Sequence, residues 1–269
     1  MTGTRLRLHA LGTGTCLTGT AARPSREHPL FVVEHAGGRV VFDCGEGAAR
    51  RLVRAGIPVA EIDHVAVSHP HADHAALPQL FQARSCEALM RGARGPLSLY
   101  VPRASAEALS SLLRWHQPED DGALPKRYPF TLHGLDDGDL RDVGGAVLEA
   151  RRVHHGHGAN PALAYRLTAS GKVFAYSGDT GPCDGVVAVA RDADLFVCEA
   201  SARIGEDLSA YGHLSPRQAG EVARLAGARA LLLTHTSGLD PDDALVEEAR
   251  ASGYRGWIVA LTDGHIVDA

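Results

Sequence analysis

The chain has 269 residues, 45% of them hydrophobic and 22% charged, a composition that is typical of a globular protein and excludes a disordered chain. The net charge of −5 speaks against a large nucleic-acid partner, because such binders usually carry a basic face. The sequence contains no run of eighteen apolar residues that would predict a membrane span, and its amino terminus lacks the apolar stretch of a secretion signal. We therefore expect a cytoplasmic protein. We also expect a single domain over residues 1–269.

Short apolar or β-branched runs bounded by Gly, Asp or Pro predict strands along the whole chain. They cover residues 5–10, 30–35, 39–43, 64–68, 97–101, 146–153, 164–168, 172–177, 194–198, 230–234 and 256–262. Helical patterns lie between them, at residues 48–55, 105–116, 182–192, 215–226 and 241–252. Ser215 followed by Pro216 is a typical helix start. Strand hairpins first and alternating strands and helices later favour an α/β fold, a four-layer αββα sandwich.

Histidine and cysteine usage points to a metal rather than to disulfides. The five cysteines are scattered and form no C-x-x-C pair, so we expect free thiols. The fifteen histidines are unusual for this length, and imidazole is the commonest metal ligand at neutral pH.

The most informative motif directly follows the predicted strand 64–68. It reads His69-x-His71-x-Asp73-His74, which places three imidazoles and a carboxylate at the end of a strand. His69 and His71 are two apart, so from an extended chain they point the same way and can hold one ion. Asp73 and His74 can then face a second ion. Imidazole and carboxylate ligands suit zinc and related metals, so the motif predicts a metal site.

This motif resembles the signature of the metallo-β-lactamase superfamily, which is followed by three further ligands. Asp179, after the strand 172–177, matches the carboxylate that bridges the metals in that superfamily. His235, after the strand 230–234, matches its last ligand. The resemblance implies the metallo-β-lactamase fold and two bound ions, zinc first, with manganese or iron as alternatives.

The remaining ligand of that pattern has two candidates in this chain. The V-x-H spacing of the superfamily selects His155, whereas counting back from Tyr165 selects His157, and we prefer His155. His154 is expected to face away from the site. The resemblance then implies one metal on His69, His71 and His155, a second on Asp73, His74 and His235, and Asp179 between them.

Further blocks are similar to ribonuclease Z and its relatives: residues 11–14, 42–47 and 212–215. Two features depart from that pattern. His155 and Asp179 are only 24 residues apart, which leaves no room for the tRNA-clamping arm that some relatives insert there. Cys198 stands where the relatives have histidine in a His-Glu-Ala-Thr block. Together with the acidic net charge, these departures favour a small phosphodiester substrate over tRNA.

The resemblance also implies roles for residues around the ligands. Asp43 is expected to orient the ligand-bearing loop without touching metal, and Glu199 is expected to support the site similarly. Asp73 is a candidate for accepting a proton from the attacking water, in addition to binding metal. His213 is a candidate for donating a proton to the leaving group.

The predicted function is that of a metal-dependent, phosphodiesterase-like hydrolase acting on a small molecule, with no membrane partner. A thioester, ester or lactone hydrolase is the main alternative, because attack by activated water is common to all of them. A tRNA 3′-processing endonuclease and a non-catalytic metal-binding module are further alternatives. The resemblance also implies a homodimer.

Overall fold

The computed structural model describes residues 6–16, 26–91, 96–116, 130–156 and 161–269, and within them the strands form two seven-stranded sheets. The first sheet contains β1 (Arg7–Gly12), β2 (Leu30–His35), β3 (Gly38–Phe42), β4 (His64–Ala66), β5 (Leu97–Pro102), β6 (Phe130–Leu135) and β14 (His265–Asp268). The second contains β7 (Leu140–Asp142), β8 (Val147–Arg152), β9 (Leu163–Ala169), β10 (Lys172–Tyr176), β11 (Leu195–Glu199), β12 (Ala230–Thr234) and β13 (Trp257–Ala260).

Both sheets are mixed and have closely similar topologies. Their strand orders are β14-β1-β2-β3-β4-β5-β6 and β13-β12-β11-β10-β9-β8-β7. Strands β3 to β6 are parallel to one another, as are β10 to β13. The other neighbours pair antiparallel. Each sheet therefore sends the carboxyl ends of several parallel strands to one edge, which is where loops can carry a site.

Helices cover the outer face of each sheet. They are α1 (Ala48–Arg54), α2 (Leu77–Arg91), α3 (Ala106–His116), α4 (Asp184–Ala190), α5 (Pro216–Ala226) and α6 (Asp242–Arg250). The first three share a buried apolar core with the first sheet, and the last three share one with the second sheet. No described helix is long and apolar enough to cross a membrane.

A third apolar core lies between the two sheets and joins them. Its centre is aromatic: the ring of Phe42 packs 4.9 Å from that of Phe174 and 6.1 Å from those of Tyr165 and Tyr176. The layer order helix, sheet, sheet, helix confirms the predicted αββα sandwich. The start of α5 is also as predicted, with Ser215 as the N-cap of a capping box and Pro216 in the first turn.

The sequence patterns missed α2 and the short strands β6, β7 and β14. Helix α2 buries Arg84, whose Nε donates to the Ile62 carbonyl at 2.6 Å and whose Nη2 pairs with Asp63 at 2.9 Å. A charged residue on the buried face weakens the apolar periodicity by which a helix is recognised. Strands β7 and β14 have only three and four residues, and β6 carries Thr131, His133 and Gly134 among its apolar residues, so pairing with neighbouring strands defines them. Residue 5, the predicted first residue of β1, lies outside the described residues.

Candidate metal centre

Side chains from both sheets converge at one edge of the sandwich. They form two groups, within each of which the potential ligand atoms lie within 4.8 Å of one another. The first group is His69, His71, His155 and Asp179, and the second is Asp73, His74 and His235. Apart from His71, which is exposed, these side chains are buried. The seven residues predicted from the sequence thus meet in space, whereas His157 lies outside the described residues.

Asp179 lies between the histidines of the first group and those of the second, and it turns one carboxylate oxygen towards each set. Its Oδ2 is 3.7 Å from Nε2 of His69, in the first group. Its Oδ1 is 3.4 Å from Nε2 of His74 and 3.4 Å from Nδ1 of His235, in the second. Burial alone would raise the pKa of Asp179, but the neighbouring His235, His74 and His69 lower it by more. Its pKa therefore lies well below the usual value, and the carboxylate stays ionised. An ionised carboxylate in this position can bridge two cations.

The hydrogen bonds at the imidazole Nδ1 atoms orient the rings. Nδ1 of His69 donates to Ser68 Oγ at 2.9 Å, and Nδ1 of His155 donates to the Gly212 carbonyl at 3.1 Å. Nδ1 of His74 donates to Asp43 at 2.6 Å. In a neutral imidazole with its proton on Nδ1, Nε2 carries a lone pair, which is the form that binds a metal.

Several buried lone pairs in the centre face one another without a donor. Nε2 of His69 and Oδ1 of Asp179 are buried and have no hydrogen-bond partner. Nε2 of His74 lies 3.2 Å from Nε2 of His235. Such an arrangement is costly unless a positive charge lies between the atoms. Burial lowers the pKa of His74, but Asp179 and Asp43 raise it well above its usual value, because the two carboxylates favour a positive charge at this ring, carried either by a proton or by a metal at Nε2. The donor set therefore fits divalent metals.

Asp43 connects the metal centre to the core of the sandwich. Its carboxylate is fully buried and accepts hydrogen bonds from the hydroxyl of Tyr176 at 2.6 Å and that of Ser68 at 2.7 Å. It also accepts from the Ser68 amide at 2.6 Å, beside its bond from His74. Its backbone has a φ of 57°, a conformation that non-glycine residues rarely adopt. Asp43 thus contacts His74 but belongs to neither group of potential ligands, as an orienting role would require.

Glu199 connects His213 to His235 on the other side of the centre. Its Oε1 accepts from Nδ1 of His213 at 2.9 Å, and its Oε2 accepts from the hydroxyl of Ser201 at 2.5 Å. Ser201 Oγ in turn lies 2.7 Å from Nδ1 of His235. Burial lowers the pKa of His213, but the Glu199 carboxylate outweighs it and raises the pKa to about 9. His213 is partly exposed, and its ring centroid lies 5.0 Å from that of His155.

Cys198, which stands where ribonuclease Z relatives have a histidine, faces away from the metal centre. Its side chain is fully buried in the core between the second sheet and its helices. The alternation of side chains along β11 places Glu199 on the site side instead.

Sequence reasoning did not single out Ser68, Ser201, Tyr176 or the carbonyl of Gly212. Ser68 directly precedes His69, so its position in the motif was a usable signal. The contacts of the other three depend on strands that are distant in sequence, and no local pattern reveals them.

Comparisons with known proteins agree with this geometry. The model of a family described as "Beta-lactamase superfamily domain" matches residues 38–236. Ribonuclease BN of Cronobacter sakazakii is 31% identical over 282 residues, which cover 86% of this chain and 89% of that protein.

Solved structures show the same fold. The metallo-β-lactamase fold protein YhfI from Bacillus subtilis superposes with a TM-score of 0.83 at 20% identity, over 98% of this chain and 100% of that one. A diphosphatase of the PhnP family superposes with a TM-score of 0.75 at 18% identity, over 98% and 97%. With a family match over most of its length, the chain belongs to the metallo-β-lactamase superfamily.

Proposed function

We propose that this protein is a hydrolase that uses a two-metal centre to cleave a small phosphodiester. The observation that carries the proposal is the position of Asp179, whose two oxygens face two separate groups of histidines. A carboxylate shared in this way is suited to holding two cations side by side, which is the arrangement used for hydrolysis of phosphate esters.

The two groups of side chains would each hold one ion, zinc first, with manganese or iron as alternatives. His69, His71 and His155 would bind one ion, and Asp73, His74 and His235 the other, with Asp179 shared. Bound divalent cations supply Lewis acidity that activates water and stabilises the charge that develops in the transition state. Asp43 and Ser68 keep the rings of His74 and His69 in the orientation that this binding requires.

In this proposal His213 donates a proton to the leaving oxygen. Its Nδ1 is fixed by Glu199, so Nε2 is the atom that can exchange a proton with a substrate. A pKa of about 9 keeps the imidazole protonated at neutral pH. Neighbouring His235 and His74 outweigh the effect of burial and lower the pKa of Asp73 to about 2, so its carboxylate is ionised and is better suited to accept a hydrogen bond from water than to accept a proton.

The comparisons support a phosphodiester over a carboxylic ester, and the sequence supports a small substrate over tRNA. Relatives are named ribonucleases, and a structural neighbour is a diphosphatase, so phosphate chemistry recurs around this chain. The net charge of −5 and the short spacing between His155 and Asp179 favour a small substrate over tRNA. The ester, thioester and lactone alternatives would use the same centre, and an experiment has to separate them.

The decisive experiment compares bis-p-nitrophenyl phosphate with p-nitrophenyl acetate, alongside metal analysis of the purified protein. We expect about two transition-metal ions per chain, hydrolysis of the diester, loss of activity with a chelator and recovery when zinc is added back. Hydrolysis of the acetate alone would favour the ester hydrolase. Stoichiometric metal without turnover of either substrate would favour a binding module.

Adjacent histidines provide a matched control for this experiment. His155 belongs to the metal centre, whereas exposed His154 lines a separate cavity. H155Q should therefore reduce both metal content and turnover, and H154Q should retain both. Equal effects of the two substitutions would contradict the assignment.

A further inference from the structure

A cavity of about 510 Å³ lies beside the metal centre, between the loop that carries the ligand motif and α3. Its apolar wall includes Val67, Pro70, Val101, Leu109 and Leu112. Among the described residues no charged side chain lines it; its polar members are Ser105 and the metal-centre residue His69. We call this cavity the apolar recess.

Helix α3 contributes a stripe of apolar side chains to the recess. Ala108 and Leu112 are four positions apart, and Leu109 lies beside them, so the three share one face of the helix. Ala108 is exposed, and Leu112 has 42% of its surface exposed. Apolar side chains that line an open concave surface are typical of a ligand-binding site.

A neighbouring cavity shows that this apolar character is specific to the recess. It has the same volume of about 510 Å³ and shares part of its wall, including Ala104 and Pro161. Its wall also contains Arg103, Asp136 and Arg152, so it is charged where the recess is neutral.

The recess adjoins the metal centre at the motif loop. Its wall includes His69, a residue of the metal centre whose side chain is fully buried, and exposed Pro70 and His71 follow it in the same loop. A group bound in the recess would therefore lie next to a reacting group held by the metals. A ligand that spans both places needs a polar, metal-binding part and an apolar part.

We infer that the apolar recess binds an aliphatic or aromatic substituent of the substrate while the metal centre holds its phosphate. The inference rests on the proposed function for the reacting group, and it adds the chemical class of the substrate: a phosphodiester with a hydrophobic arm. A polynucleotide, which presents a run of charged phosphates, does not match a neutral apolar wall.

Binding of alkylphosphonates to the zinc-loaded protein tests this without requiring turnover. Methyl-, butyl- and hexylphosphonate share one head group and differ only in the apolar arm. Burial of each methylene is expected to tighten binding about two- to fourfold, so hexylphosphonate should bind at least about thirtyfold more tightly than methylphosphonate. Isothermal titration calorimetry measures the three dissociation constants.

Two tryptophan substitutions on α3 make the test specific. A108W fills the recess from the helix, whereas S111W adds the same bulk to an exposed position that does not line it. The chain-length dependence should persist in S111W, with the affinity for methylphosphonate unchanged, and fall to about threefold or less in A108W. The metal content of each variant, measured in parallel, should equal that of the unsubstituted protein.

The outcomes separate this inference from the proposed function. A strong chain-length dependence without hydrolysis of any phosphodiester would support the recess and contradict the proposed function. Equal affinities for the three phosphonates, no binding of any of them, or equal behaviour of A108W and S111W would overturn the inference even if the protein hydrolyses phosphodiesters.

Discussion

Two clusters of histidines lie among the described residues, and one of them has the features of a metal site. At the metal centre the rings surround an ionised carboxylate, Asp179. In the second cluster, His64 and His133 lie on either side of Tyr100, on the neighbouring strands β4, β5 and β6 of the first sheet. Nδ1 of His64 is 3.1 Å from the Tyr100 hydroxyl, and the His133 ring stacks on the Tyr100 ring at 4.9 Å. Within the described chain, the sets of potential ligand atoms within 4.8 Å of one another all lie at the metal centre.

The difference between the clusters lies in their buried carboxylates. At the metal centre Asp179 and Asp43 raise the pKa of His74 against the effect of burial, although burial still lowers the pKa of His69 and of His155. In the second cluster burial dominates and lowers the pKa of His64 and of His133. Histidine content alone therefore does not identify a metal site. Ring orientation fixed by hydrogen bonds, together with an ionised carboxylate, distinguishes it.

Substitution of one residue in each cluster should give the largest contrast. D179N removes the shared negative charge, so we expect loss of at least one metal per chain and a fall in kcat/KM of more than about a hundredfold. H64Q changes the second cluster and should leave both quantities within about twofold. Metal analysis and steady-state kinetics measure these effects, and a D179N protein with full metal content and activity would contradict the proposed centre.

The proximity of the residues in the centre could be predicted from the sequence where these residues are local or end a strand. His69, His71, Asp73 and His74 lie within six positions, so their proximity needs no knowledge of the fold. Asp179 could be placed because it follows an apolar strand, and the resemblance to a known superfamily supplied its partner groups.

What the sequence could not supply is the support that comes from packing. Tyr176 reaches Asp43 only because β10 and β3 belong to sheets that pack face to face. Ser201 reaches His235 across two neighbouring strands, β11 and β12. The apolar recess likewise depends on how α3 lies against the motif loop, and no periodicity in α3 reveals what it faces.

A smaller contrast within the metal centre should separate proton transfer from metal binding. H213Q removes the proton donor but none of the seven proposed ligands, so kcat should fall about a hundredfold with metal content unchanged. His213 is protonated below a pKa of about 9, so kcat of the unsubstituted protein should decline as the pH rises through that region. The profile of H213Q should lack this decline. Loss of metal in H213Q would instead make His213 a ligand, since it also lies near Asp179 and His235.

The smallest expected effect concerns stability in acid and belongs to the second cluster. Burial lowers the pKa of His64 below its usual 6.5, so the folded chain takes up this proton less readily than the unfolded chain. The neutral ring is fully compatible with the fold above about pH 6.5, and stability is lost as the pH falls below that value. H64Q removes this contribution, so its melting temperature should fall less than that of the unsubstituted protein between pH 7.5 and 5, by about 2–4 °C. Thermal unfolding of both zinc-loaded proteins measures the difference. If the two melting temperatures fall equally between pH 7.5 and 5, burial does not lower the pKa of His64.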